Sequence, residues 1–213
     1  MRLEFVCLLL LTARLIGADI IDRIAISVGS QVITESQIEL ELRLTAFLNS
    51  DKLDLSDAEK KKAAGRLIEQ ALVKREMAFS RYPLPVLADA DASLKEQKAR
   101  FRTEADYEQA LKQYGIREDD LREHLLWELT LLRFIDYRFR PGIQISDFDV
   151  QTYYQQQLSK WREQGLQPIP SPQDARPQIE EILTQQRIDR SLDTWLSEAR
   201  TQVSIRYHDE ALQ

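Results

Sequence analysis

The sequence predicts a mostly α protein with a small β element that joins an N-terminal hairpin to a C-terminal strand. Three observations lead there. The abundant residues are helix formers (Leu, Ala, Glu, Gln, Arg and Ile), and glycine occurs only six times in 213 residues. Apolar side chains recur at three- and four-residue spacing through most of the chain. Strand-like patterns are confined to the two ends, Ile24–Val28 with Val32-Ile33 and Val203–Tyr207.

The first eighteen residues read as a secretory signal peptide cleaved near Ala18. Arg2 precedes the apolar run Phe5–Leu11, and the small residues Gly17 and Ala18 follow. The run is too short to span a bilayer. Cleavage removes Arg2, Arg14 and Glu4 and takes the formal charge from −6 to −7. It also removes Cys7, the only cysteine, so the mature chain needs no disulfide in an oxidising compartment.

Beyond it, Ile24–Val28, the turn Gly29-Ser30 and Val32-Ile33 predict a hairpin. Thr34-Glu35-Ser36-Gln37 is a capping-box pattern opening a helix that buries Ile38, Leu42 and Phe47. Ser56-Asp57-Ala58-Glu59 is a second such pattern. It opens a helix to about Arg81 with Ala64, Leu67, Ile68, Ala71, Leu72 and Phe79 on its apolar face, stopped by Tyr82-Pro83-Leu84-Pro85. A helix from about Asp89 to Phe101 follows. Thr103 caps the next and Gly115 ends it. Glu118–Phe139 is a long helix halted by Pro141-Gly142, and Ser146 caps a helix with Val150, Tyr153, Tyr154, Leu158 and Trp161.

Residues 165–177 carry Pro168, Pro170, Pro172 and Pro177 and read as a linker between a helical domain at 19–164 and a closing unit at 178–213. In that unit Ile179, Ile182, Leu183, Leu192, Trp195, Leu196 and Ala199 mark a last helix. A two-stranded hairpin alone is marginal in water, so Val203–Tyr207 is expected to pair with Ile24–Val28 and close the fold.

The charge of −6, without a basic block, argues against a nucleic-acid partner. No nucleophile elbow, zinc-protease helix, phosphate loop or dinucleotide fingerprint occurs, so no cofactor site and no catalytic pairing is legible. His124 and Glu128 share a helix face at a spacing that can hold a metal, but that pair reads as a solvated face. Asp89 and Asp91 lack the glycine a calcium loop requires. Asp119-Asp120 reads as first-turn helix charge.

The informative segment is the long helix. Leu125, Leu129, Leu132 and Phe139 form one apolar stripe, and Trp127, Leu131 and Phe134 form another. A helix apolar all round is ordinarily buried. The alternative is that the second stripe lines a groove for unfolded or extended polypeptide, with Tyr107 and Tyr114 extending it.

Ile21-Asp22-Arg23-Ile24-Ala25-Ile26-Ser27-Val28-Gly29-Ser30-Gln31-Val32-Ile33-Thr34-Glu35-Ser36 resembles the opening of SurA-type periplasmic chaperones. Ile143–Asp147 through Tyr153-Tyr154 resembles the segment leading into that family's parvulin prolyl isomerase domain. Ala175–Leu183 through Trp195-Leu196 resembles its C-terminal helix, and Val203–Tyr207 its closing strand. The resemblance implies an ATP-independent holdase for unfolded envelope proteins, located in the periplasm. It departs from the family at one place: only 21 residues lie between Tyr154 and Arg176, where a domain of roughly ninety would stand. Isomerase activity is therefore not carried over. The other readings are a prolyl isomerase, or an accessory part of one, and a docking subunit for one envelope partner.

Overall fold

Both ends of the described chain meet in one small antiparallel sheet. β1 (Ile24–Val28) turns through Gly29-Ser30 into β2 (Gln31–Thr34), and β3 (Ile205–Tyr207) lies along the other edge of β1. Ile26 stands opposite Tyr207, Ser27 opposite Arg206 and Val28 opposite Ile205. The Gly29 N–H donates to the Ser204 carbonyl at 2.9 Å and the His208 N–H to the Ala25 carbonyl at 2.8 Å, extending the pairing at both ends. Gly29 has φ +59°, and a Cβ there would meet Val203 Cγ1 at 3.3 Å, so the turn favours glycine on two grounds. The computed structural model describes residues 22–79, 82–165 and 167–208; the expected signal peptide lies outside them.

Among the described residues, seven α-helices account for most of the rest: α1 (Glu35–Asn49), α2 (Asp57–Ala78), α3 (Leu87–Ala99), α4 (Glu104–Tyr114), α5 (Glu118–Arg138), α6 (Asp147–Glu163) and α7 (Pro172–Thr201). The mostly α class with a small β element is what the composition and end patterns predict. Several boundaries have visible local causes. Thr34 and Gln37 close the expected capping box, with the Thr34 N–H donating to Gln37 Oε1 at 2.9 Å. Thr103 accepts from the Asp106 N–H, and Ser146 from the Asp149 N–H. Gly115 leaves α4 in the left-handed conformation, φ +66°.

Three expectations are corrected. The Ser56 box does not form: the Ser56 side chain makes no capping bond, and Glu59 is drawn to Lys62 at 2.6 Å instead. Phe79 is not on the buried face of α2. It is 82% exposed, because it stands at the C-cap just past the end of the helix at Ala78. The linker is shorter than residues 165–177. Pro172 occupies the first turn of α7, where a missing N–H costs nothing, and Pro177 lies within that helix.

Three clusters of buried side chains hold the helices. One lies beneath the sheet, where Ile26, Ile33, Ile38, Leu42, Ile68 and Leu72 pack with Trp195, Leu196, Val203 and Ile205 from the C-terminal end. A second lies on the opposite side of α1, joining Leu44 and Phe47 to α3, α4 and α5 through Leu94, Tyr107, Leu111, Leu121 and Leu125. The third sits between α6 and the first half of α7, with Val150, Tyr154, Ala175 and Ile179. At 30 residues, α7 is about 45 Å long. Its first half therefore packs on α6, while its second half reaches α2 and the sheet.

Candidate functional site

The second apolar stripe of α5 divides along its length. Phe134 is 1% exposed. Its ring packs against Tyr82, Phe139 and Trp195 at centroid distances of 5.4, 5.9 and 5.4 Å. Trp127 and Leu131 are only partly buried and line an open cleft. The first stripe divides as well: Leu125 is buried, Leu129 packs at the edge of the second cluster, and Leu132 is 59% exposed.

The cleft exists because α5 packs chiefly on α3 and meets α1 only lightly. That leaves a space between α5 and the pair α1–α2. One lobe, of about 540 Å³, lies between β2, α1, α2 and the N-terminal half of α5, with Val32, Leu40, Leu44, Leu67 and Trp127 among its walls. The other, of about 350 Å³, continues toward α7 and is lined by Val73, Leu131, Leu192 and Leu196. Glu41, Leu67, Gln70, His124 and Trp127 border both lobes, so the two form one trough.

A polar bridge crosses the trough. Arg66 of α2 donates from Nε to Glu41 Oε1 at 2.8 Å. The other oxygen of Glu41 stands 3.6 Å from His124 Nδ1, and His124 Nε2 is 3.5 Å from Glu128 Oε1. The His124 side chain is 14% exposed. His124 thus belongs to the cleft, while Glu128 stays solvated at its rim. The sequence concealed this because Glu41 comes from α1, 83 positions away from His124. Beside the bridge, the Lys74 ammonium lies 5.1 Å from the centroid of the Trp127 ring. Burial of that ammonium lowers the Lys74 pKa, and the nearby Glu123 carboxylate partly offsets the effect. At the rim, hydrogen bonds from Arg117 lower the Asp120 pKa.

Of the five residues proposed to contact a client, the structure brings Trp127 and Leu131 together in the cleft. Phe134 and Tyr107 are corrected to core positions, each 1% exposed. Tyr114 also lies elsewhere: its ring meets Phe47 edge-on at 5.7 Å, and its hydroxyl donates to the Asp51 carbonyl at 2.8 Å. The cleft residues the sequence did not point to are Val32, Leu40, Leu67, Leu192 and Leu196. They come from four elements, β2, α1, α2 and α7, and no periodicity within one helix connects the whole set.

Asp89 and Asp91 pair with Arg133 and Arg122. Among the described residues, no group of three or more His, Cys, Asp or Glu side chains is placed to hold a metal ion. No described helix is long and apolar enough to cross a membrane. No protein-family model matches the chain, and no curated protein does.

Proposed function

We propose that the protein is an exported, ATP-independent holdase of the SurA type, without prolyl isomerase activity, that binds extended segments of unfolded envelope polypeptides in the α1–α2–α5 cleft. The observation that carries this is the trough under Trp127. It offers apolar side chains from four helices to an occupant while charged groups at its rim keep the surface hydrated. A partly buried tryptophan facing both lobes of the cleft supplies a large, rigid contact area. Residues 155–175, where the resemblance would put the isomerase domain, are the end of α6, a short connection and the start of α7. Lowering a rotational barrier of about 20 kcal/mol requires an organised pocket, and that interval is too short to build one. Export rests on the pattern of residues 1–18, and N-terminal sequencing of the protein from an envelope fraction should begin at residue 19.

The test is suppression of aggregation of a denatured outer-membrane protein, run beside a prolyl-peptide isomerisation assay. The mature chain should suppress aggregation without ATP and leave the isomerisation rate at its uncatalysed value. Trp127→Ser should weaken suppression severalfold while costing far less stability than a change at Phe134. Full suppression by Trp127→Ser would remove the cleft from the function.

A further inference from the structure

We propose that the cleft prefers extended segments whose apolar side chains are flanked by lysine or arginine over the same segments flanked by aspartate or glutamate. This rests on the reading of the cleft as the client site. The lobe toward α7 is mainly apolar, and the walls of the two lobes carry five carboxylates, Glu41, Glu69, Asp120, Glu123 and Glu128, against two basic side chains, Arg66 and Lys74. Those cations are already engaged: Arg66 bonds Glu41 at 2.8 Å, and the Lys74 ammonium covers the Trp127 ring. Three of the carboxylates are answered by arginine, Glu41 by Arg66, Glu69 by Arg200 and Asp120 by Arg117.

Glu123 and Glu128 remain. Among the described residues neither has a lysine or arginine within ion-pair distance, and both are exposed. They lie on α5 on either side of Trp127, so a segment laid along the trough with an apolar side chain against that ring would place its flanking residues near them. A cationic flank there gains two partly shielded charge contacts, and an acidic flank meets like charge. Exposed pairs of this kind are each worth a few-fold in affinity, so the two together predict a difference of about tenfold.

Three labelled nonapeptides with the same Leu-Ile-Leu centre, flanked by lysine, serine or glutamate, test this by fluorescence anisotropy against the mature chain. Binding should be tightest for the lysine peptide and weakest for the glutamate peptide. The ratio should be about tenfold in low salt and shrink toward one at high ionic strength, where the Debye length falls to a few ångströms. The double variant Glu123→Gln, Glu128→Gln, which keeps size and shape at exposed positions, should narrow the ratio in low salt. Trp127→Ser should weaken all three peptides together. Equal affinity of the three peptides would overturn the charge preference and leave the cleft as the client site. A ratio untouched by the double variant would overturn its assignment to Glu123 and Glu128. Affinities unaffected by Trp127→Ser would overturn the cleft reading and the preference with it.

Discussion

The rings of Phe134 in α5 and Trp195 in α7 pack with centroids 5.4 Å apart, and this contact ties the last helix to the centre of the molecule. Phe139 joins them, 6.3 Å from Trp195, and the Arg138 guanidinium lies 5.6 Å from the same indole. The contact explains why a residue in register with Trp127 and Leu131 serves stability. Trp195 of α7 covers α5 at Phe134, and further toward the N-terminus of α5 the same face is left open.

Phe134→Ala should therefore cost about 3–5 kcal/mol, the range for removing a buried phenylalanine. Chemical denaturation measures it directly. Since 1 kcal/mol moves the midpoint by about 2–4 °C in a chain of this size, the thermal midpoint should fall by at least about 6 °C. A loss below about 1 kcal/mol would show that the contact with Trp195 does not bind α7 to the body.

Truncation after Gln202 should destabilise the whole module. It removes β3, the bonds at Gly29 and Ala25, and the packing of Val203 and Ile205 against the cluster under the sheet. Burial of two branched aliphatic side chains and loss of a strand together correspond to about 3 kcal/mol or more. Calorimetry should show one cooperative transition shifted down by roughly 6–12 °C on the same scale. A midpoint equal to that of the intact chain would mean the hairpin stands without its third strand.

Tyr107 provides a pH-dependent test. Its side chain is buried, with no hydrogen-bond partner for the hydroxyl among the described residues. Burial pushes its pKa up, and the Glu118 carboxylate, near enough to act through its charge though not at bonding geometry, adds to the rise. A raised pKa means the folded state holds the proton more tightly than the unfolded state. The resulting stability is fully present below the unfolded tyrosine value near 10 and is lost as pH rises beyond it, at up to about 1.4 kcal/mol per pH unit. Tyr107→Phe should be neutral or stabilising by about 1 kcal/mol near pH 7, because it removes a buried polar atom without a partner. Urea midpoints from pH 8 to 11 should fall less steeply in the variant than in the parent. Parallel slopes would show that Tyr107 ionises freely in the folded protein.

Most of the elements are legible in the sequence. The Thr34–Gln37 box, the Thr103 cap, the Gly115 stop and the pairing of the two strand-like ends are local chemistry, or the requirement that a strand find a partner. Where such reading failed, a second solution competed within the same few residues. Glu59 had Lys62 within reach, and Pro172 suited the first turn of a helix as well as it suited a linker. The site was only half legible. Trp127 and Leu131 stand out as an apolar stripe, while Leu192, Leu196 and Val32 entered the cleft from distant parts of the chain.

By itself the sequence determined which residues share a helical face. At 100° per residue, Trp127, Leu131 and Phe134 fall within about 60° of one another, and that follows from the backbone alone. What covers each point along that face was decided only by the tertiary structure. Seven residues advance a helix by about 10 Å. Over that distance the surroundings change from the gap between α5 and α1–α2 to the flank of α7. The same stripe is therefore groove at Trp127 and core at Phe134, because burial depends on where another helix crosses, and no periodicity encodes that position.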